Sequence, residues 1–231
     1  MRELLTTGLT ELGLPTEGIP ALERYAGMLV EKNKVMNLTA ITEPADIATL
    51  HFLDCAALLT MADFRGKTVA DVGTGAGFPG MPLRILETSI RLTLLDSLNK
   101  RIDFLKEVCD GLGFGDVDCV HARAEEFAAQ HREGFDIVTS RAVANLRMLS
   151  ELCLPLVKVG GTFLSMKSVD SDAELAEAQK AIATLGGQVA DVKDYVIPGT
   201  EVSHRVIFIQ KIKETPKKYP RTFAKIKKSP L

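Results

Sequence analysis

The stretch Val69 to Gly80 constrains this chain more than any other. It reads Val-Ala-Asp-Val-Gly-Thr-Gly-Ala-Gly-Phe-Pro-Gly. Thr68, Val69, Ala70 and Val72 form a short run of apolar, β-prone character that enters a glycine loop. The loop enters an apolar segment that Pro79 is placed to begin. The pattern reads strand, tight turn, helix. Backbone N–H groups at such a helix start point into the turn, and the macrodipole favours an anion there. Three alternating glycines cost backbone entropy that a plain connecting turn does not require.

Glycine spacing narrows the ligand. A dinucleotide fingerprint needs G-x-G-x-x-G, whose third glycine lets helix and strand pack closely. Here the glycines are Gly73, Gly75 and Gly77, and the next residue is Phe78. Asp71 sits two residues before the loop. An acid at a strand end suits a ligand with a cationic amine, and a bulky Phe78 does not suit a passing pyrophosphate. Asp-x-Gly-x-Gly-x-Gly is similar to the S-adenosylmethionine (SAM) loop of class I methyltransferases. The alternative is a glycine-rich turn that holds no ligand.

Bulk properties exclude several classes. The 231 residues are 46% hydrophobic and 25% charged, which is ordinary for a globular chain. No run of about twenty apolar residues is present, so no membrane span is expected. Met1-Arg2-Glu3-Leu4 does not open a signal peptide, so a cytoplasmic location is expected. Cys55, Cys109, Cys119 and Cys153 show no C-x-x-C spacing. They are expected to be reduced core residues, with no disulfide and no metal site. A monomer is expected.

Charge is unevenly placed. Lys211 to Leu231 carries eight Lys or Arg and one Glu, a net of +7. The remainder has 20 basic and 29 acidic residues, a net of −9. An acidic body with a basic tail points to contact with a polyanion. The competing reading is a solvated tail that lysines keep soluble.

In chain order, helices are expected over about 2–12 and 20–34, and a third after Pro44 that carries His51 and Asp54. Residues three apart share a helix face, so His51 and Asp54 are expected to be neighbours. They serve either as a cap or packing pair, or as part of a site. Strands are then expected at 68–72, 91–95, 118–121, 135–139, 162–166, 188–196 and 205–210. Helices over 80–86, 98–112, 124–130, 146–157 and 172–185 alternate with the first strands. Gly160-Gly161 reads as the turn into the fifth strand. Alternation with one closing hairpin implies an α/β fold with a seven-stranded, mostly parallel sheet, helices on both faces and an antiparallel final hairpin. The expected organisation is a helical extension (1–64), a Rossmann-like domain (65–213) and a basic tail (214–231).

Ligands in such sheets bind at the carboxyl ends of the strands. Those ends hold Asp71 with the glycine loop, Asp96 with Ser97 and Leu98, Ala124 with Glu125, Arg141, and Lys167. Asp96 lies about twenty residues past the loop, where an acid can bond ribose hydroxyls. It can equally cap the following helix. Ser97 and Leu98 can line ribose and adenine, and Ala124-Glu125 can wall the adenine. Glu125 is otherwise a first-turn acid. Arg141 at the end of a central strand is costly unless paired or facing a ligand. It can bind a methionine carboxylate or a substrate phosphate, or pair with Asp71 or Asp96. Lys167 invites the same readings.

Missing motifs narrow the chemistry. Methyltransferases that act on exocyclic base amines often carry Asn/Asp-Pro-Pro-aromatic after the fourth strand, and those that make 5-methylpyrimidines need a cysteine there. This chain has Ser140-Arg141-Ala142-Val143. A nucleophile with a free lone pair, such as guanine N7, needs no general base. The reaction then rests on positioning.

With these residues in hand, the chain closely resembles the bacterial 16S rRNA guanine-N7 methyltransferase family, RsmG or GidB. The resemblance is carried by Asn37-Leu38-Thr39-Ala40-Ile41, His51-Phe52-Leu53-Asp54-Cys55, the loop with its unusual Gly77-Phe78-Pro79-Gly80 ending, Arg123-Ala124-Glu125-Glu126, Ser140-Arg141-Ala142-Val143-Ala144, Tyr219-Pro220-Arg221 and Pro230-Leu231. Cys55 stands where that family commonly has serine, and the glycine often found after Tyr-Pro-Arg is missing. The resemblance implies SAM as methyl donor, S-adenosylhomocysteine as product, and a guanine in the decoding region of 16S rRNA as acceptor. The substrate would be rRNA in the small subunit or its assembly intermediate. It also implies SAM contacts at Gly73, Phe78, Ala124, Glu125 and Arg141 and around Asp96-Ser97-Leu98. Lys217, Lys218, Arg221, Lys227 and Lys228 then become RNA-binding candidates. Arg141, Lys167, His51 and Asp54 are candidates for positioning, with no acid–base role assigned. The alternatives are a non-catalytic RNA-binding or SAM-sensing module and an NAD-dependent oxidoreductase.

Overall fold

The computed structural model describes residues 1–141 and 143–231. Ala142, within the Ser140–Ala144 motif, lies outside the described residues. The strands are β1 (Thr68–Val72), β2 (Arg91–Asp96), β3 (Asp118–His121), β4 (Phe135–Arg141), β5 (Val157–Ser168), β6 (Gly187–Val196) and β7 (Ser203–Lys211). They form one sheet in the order β3-β2-β1-β4-β5-β7-β6. The first five are parallel, and β7 inserts antiparallel between β5 and β6. From β1 the chain moves first to β2 on one side and later to β4 on the other. Such a reversal leaves a crevice at the strands' carboxyl ends.

The helices are α1 (Arg2–Glu11), α2 (Ile19–Asn33), α3 (Pro44–Asp46), α4 (Asp54–Ala56), α5 (Gly80–Leu86), α6 (Asn99–Leu112), α7 (Ala124–Gln130), α8 (Leu146–Cys153), α9 (Asp172–Thr184) and α10 (Phe223–Lys228). Between α3 and α4 the chain stays helical but widens into a π-helical stretch, Ile47–Leu53. Such stretches are uncommon and often mark functional positions. The helical extension is no separate lobe. Leu5, Leu22, Leu29 and Phe52 join Leu94, Leu105 and Val206 in one core against one sheet face. The opposite face carries a second core that includes Phe127, Leu149, Leu156 and Ile182.

Three expectations need correction. Gly160-Gly161 is not a turn into β5 but lies inside it. The β4–β5 register shifts there, and a side chain on Gly161 would strike the Asp136 carbonyl at 2.6 Å, so the strand passes with an irregularity rather than a reversal. The helix expected over 146–157 stops at Cys153, because Pro155 cannot continue it and a 3-10 turn follows. β4 runs past Thr139 to Arg141, which pairs in register with Met166, so Arg141 is a strand residue.

The basic tail also differs from a solvated segment. Lys211 is fully buried in β7, where its Nζ donates to the Leu154 carbonyl at 2.6 Å and the Val157 carbonyl at 3.1 Å. Tyr219 and Ile226 are buried in the second core. Arg132 donates to the carbonyls of Thr215, Pro216 and Tyr219, and Arg147 to those of Pro230 and Leu231. Arg221 is committed to Glu151, a fully buried carboxylate on α8, through Nη2 at 2.6 Å, Nε at 2.8 Å and its backbone N–H at 2.8 Å. This planar fork on a carboxylate leaves Arg221 little to offer RNA. Lys213, Lys217, Lys218, Lys225, Lys227 and Lys228 remain exposed.

Removing Arg221 strands the Glu151 carboxylate. Arg221→Ala is expected to cost about 2–3 kcal/mol, below the range for a fully enclosed pair because Arg221 is partly in solvent. The cost reads as a lower denaturant midpoint together with faster tryptic cleavage at Lys217 and Lys218. Unchanged stability and cleavage would mean that the tail is not anchored through this pair.

Candidate active site

The glycine loop follows β1 and turns left-handed at Gly73 (φ 69°) and Gly75 (φ 62°). Gly73 also passes Val143 so closely that an added Cβ would lie 2.5 Å from its side chain. Both requirements exclude other residues there. The loop, the ends of β2 and β3, and Arg141 at the end of β4 enclose a cleft of about 520 Å³. That is within the size range of small-molecule sites.

Asp71 was expected to face the ligand. It is fully buried beneath the loop and absent from the cleft wall. Its Oδ2 accepts from Thr74 Oγ1 at 2.6 Å and Gly80 N–H at 2.9 Å, and its Oδ1 from Thr139 Oγ1 at 3.1 Å. Burial pushes its pKa up to about 6, with these donors pulling the other way. The acid therefore shapes the loop from below. Gly77 is also enclosed, since a side chain there would run into Tyr25 and Leu105. Tyr25, from α2, donates its hydroxyl to the Ala76 carbonyl. The helical extension thus clamps the loop directly.

Asp96 does reach the cleft. Its Oδ2 accepts from Gly75 N–H at 3.0 Å and from Arg101 Nη1 at 3.2 Å, and its Oδ1 from Leu98 N–H at 2.9 Å. Asp96 thus lines the cleft and bonds the turn at Leu98, while α6 begins at Asn99 with no side-chain cap. Ser97, Ala124 and Glu125 line the cleft as well, while the Leu98 side chain is exposed and outside its wall. Glu125 is paired with Arg123 Nε at 2.9 Å.

Arg141 gathers the other candidates. Its Nη1 donates to Asp54 Oδ2 at 2.9 Å and the Leu50 carbonyl at 3.3 Å, and its Nη2 to His51 Nδ1 at 3.0 Å. Its guanidinium lies over Phe78, 4.9 Å from the ring centre. His51 stacks on the same Phe78 at 4.2 Å. A guanidinium only donates, so His51 Nδ1 is the acceptor and Nε2 carries the proton toward Thr39 Oγ1 at 2.9 Å. Burial, with the Arg141 charge, lowers the His51 pKa to about 3, so His51 is neutral near pH 7. Asp54 is fully buried and also accepts from Tyr195 at 2.6 Å and His204 Nδ1 at 2.8 Å. Burial alone would raise its pKa, but the bonds from His204 and Tyr195 and the Arg141 charge hold it below the usual range. The expected partners of Arg141, Asp71 or Asp96, are replaced by Asp54.

Lys167 is not aimed into the cleft. It donates to the Ala144 carbonyl at 2.7 Å and to Glu174 at 2.6 Å, and Glu174 also accepts from Leu146 N–H. Lys167 therefore ties down the segment after β4. Sequence reasoning missed Tyr25, Tyr195, His204 and Phe223, because each reaches the site from a distant element, and it gave Thr39 no role although the motif around it was visible.

A seven-stranded sheet with β7 antiparallel beside β5, a glycine loop after β1 and an acid after β2 define a Rossmann-like methyltransferase fold. A TrmN structure from Thermus thermophilus shares it, with a TM-score of 0.54 and 22% identity over 68% of this chain and 48% of that one. The chain belongs to the rRNA small subunit methyltransferase G family, whose model matches residues 18–203. It is 48% identical to Ribosomal RNA small subunit methyltransferase G of Clostridium perfringens, over 90% of this chain and 88% of that protein. The same-named protein of Alkaliphilus metalliredigens is 45% identical over 99% of this chain and 98% of its own length.

The buried His51 makes a pH prediction. Below pH 6.5 the unfolded chain protonates His51, while the folded chain does not until about pH 3. The unfolded state then binds more protons, so this contribution to stability is lost as pH falls through that window. Replacing His51 with Gln should remove the loss. The stability difference between wild type and His51→Gln is expected to shift against the wild type by about 2 kcal/mol from pH 6.5 to pH 5 in urea unfolding. A pH-independent difference would contradict a neutral, buried His51.

Proposed function

We propose that this chain transfers a methyl group from SAM to N7 of a guanine in 16S rRNA, acting as a cytoplasmic monomer on the small subunit or an assembly intermediate. SAM supplies an electrophilic methyl group. The chain supplies binding and alignment. Gly73 and Gly75 present backbone to the ligand, Asp96 offers its carboxylate to ribose hydroxyls, and Ala124 and Glu125 stand where adenine would lie. Arg141 keeps a permanent positive charge for the methionine carboxylate.

One observation carries the choice of atom. The titratable groups bonded to Arg141 are already committed. Both ring nitrogens of His51 are bonded, and its low pKa makes it a poor base. Asp54 holds Arg141, Tyr195 and His204. Proton removal has no poised acceptor among these residues. Guanine N7 bears no proton, so it fits a site built to position rather than to deprotonate. The family membership supports rRNA as substrate, and the exposed lysines of the C-terminal segment suit its phosphates.

Unmodified small-subunit particles incubated with the protein and labelled SAM, then treated with borohydride and aniline, are expected to show one new SAM-dependent break. That chemistry cuts at 7-methylguanine. Label incorporated without a break would overturn the N7 assignment. Charge reversal at Lys217, Lys218, Lys225, Lys227 and Lys228, with Arg221 left in place, is expected to flatten the salt dependence of RNA affinity. The slope should fall by about 0.7–0.9 per lost phosphate contact. An unaltered slope would remove RNA binding from this segment.

A further inference from the structure

The C-terminal segment was expected to meet RNA, yet one of its residues lines the cleft. Phe223, the first residue of α10, borders the cavity beside Ala122, Arg123, Ala124, Met148 and Leu152. Phe223 packs partly buried against the second core and keeps part of its ring open at the cleft. Ile226, three residues on and on the same helix face, is fully buried and anchors α10, whereas Phe223 is half-exposed. The Arg123 guanidinium sits over the Phe223 ring at 4.3 Å from its centre, and its Nε bonds Glu125. The ring is therefore held at the β3 end of the cleft by a cation–π contact. Arg221, two residues earlier, fixes the segment to Glu151, next to Leu152 of the cleft wall.

We propose that Phe223 is an aromatic wall for the adenine ring of the cofactor, so that the C-terminal segment completes the cofactor site. The proposal rests on the reading of the cleft as a SAM site. A ribose at Asp96 places the attached base toward Ala124, which is where Phe223 stands. An aromatic face accepts any purine without hydrogen bonds, and backbone groups beside Ala124 and Glu125 are left to distinguish the base. Phe223 also connects that wall to a helix whose other face shows Lys225, Lys227 and Lys228 to solvent.

The test measures binding by calorimetry for SAM and for 5′-methylthioadenosine, which keeps adenine and lacks the amino acid. Phe223→Ala is expected to weaken both about five- to tenfold, the lower part of the range for removing one base-stacking aromatic. Phe223→Leu keeps an apolar side chain against α8 and guards against a folding defect; it is expected to weaken both ligands as well, and Phe223→Trp to retain both. Unchanged affinity in the Ala and Leu variants overturns the proposal. So does a loss confined to SAM, because adenine stacking must affect both ligands. A wild-type chain that binds neither ligand would instead overturn the SAM reading itself, and this inference with it.

Discussion

The buried pair Arg141–Asp54 holds the site together. A guanidinium at the end of a central strand and a carboxylate with no exposed surface are each costly to enclose. They are tolerated because they pair with each other and with further partners. His51 and Leu50 accept two more Arg141 N–H groups, and Tyr195 and His204 fill the second oxygen of Asp54. Four stretches of chain meet in this one network: the π-helical turn, α4, the end of β4 and the β6–β7 hairpin. Removing one member would leave an unpaired charge rather than an empty space, so the network specifies how the helical extension docks on the sheet.

The cleft itself is held from beneath. Asp71 gathers Thr74, Gly80 and Thr139 under the loop, and Tyr25 holds Ala76 from the side. Phe78 packs against Tyr25, Phe52 and His51 and carries Arg141 on its face. Phe78 thus explains why a bulky residue ends this glycine loop. It is a floor shared by the loop and the Arg141 network, placed where a dinucleotide would have required a glycine.

Much of the fold was legible in local pattern. β1, β3, α5 and α7 match the expected ranges because glycine, proline and apolar alternation act within a few residues. The i to i+3 spacing put His51 and Asp54 on one side of the chain, but that Arg141 bonds both was not legible in it. What could not be read was the pairing of charges across the chain. Asp71 looked like a ligand contact because its partners Thr74 and Thr139 have no motif that announces them. Arg221 looked free because Glu151 lies 70 residues away. Net charge along a segment does not say which cations are already neutralised inside the fold. Phe223 drew no notice among lysines, and only packing brings its ring to the cleft.

The position of Asp54 in the chain has a consequence for synthesis. Each side chain that bonds it lies far downstream, the farthest being His204 at 150 residues. At roughly 5–20 residues per second, translation leaves this carboxylate without its full set of donors for about ten to thirty seconds. The Asp54 network therefore closes late, when Tyr195 and His204 arrive with the β6–β7 strands. The carboxylate that holds Arg141 at the cleft thus gains its last donors only as translation nears its end.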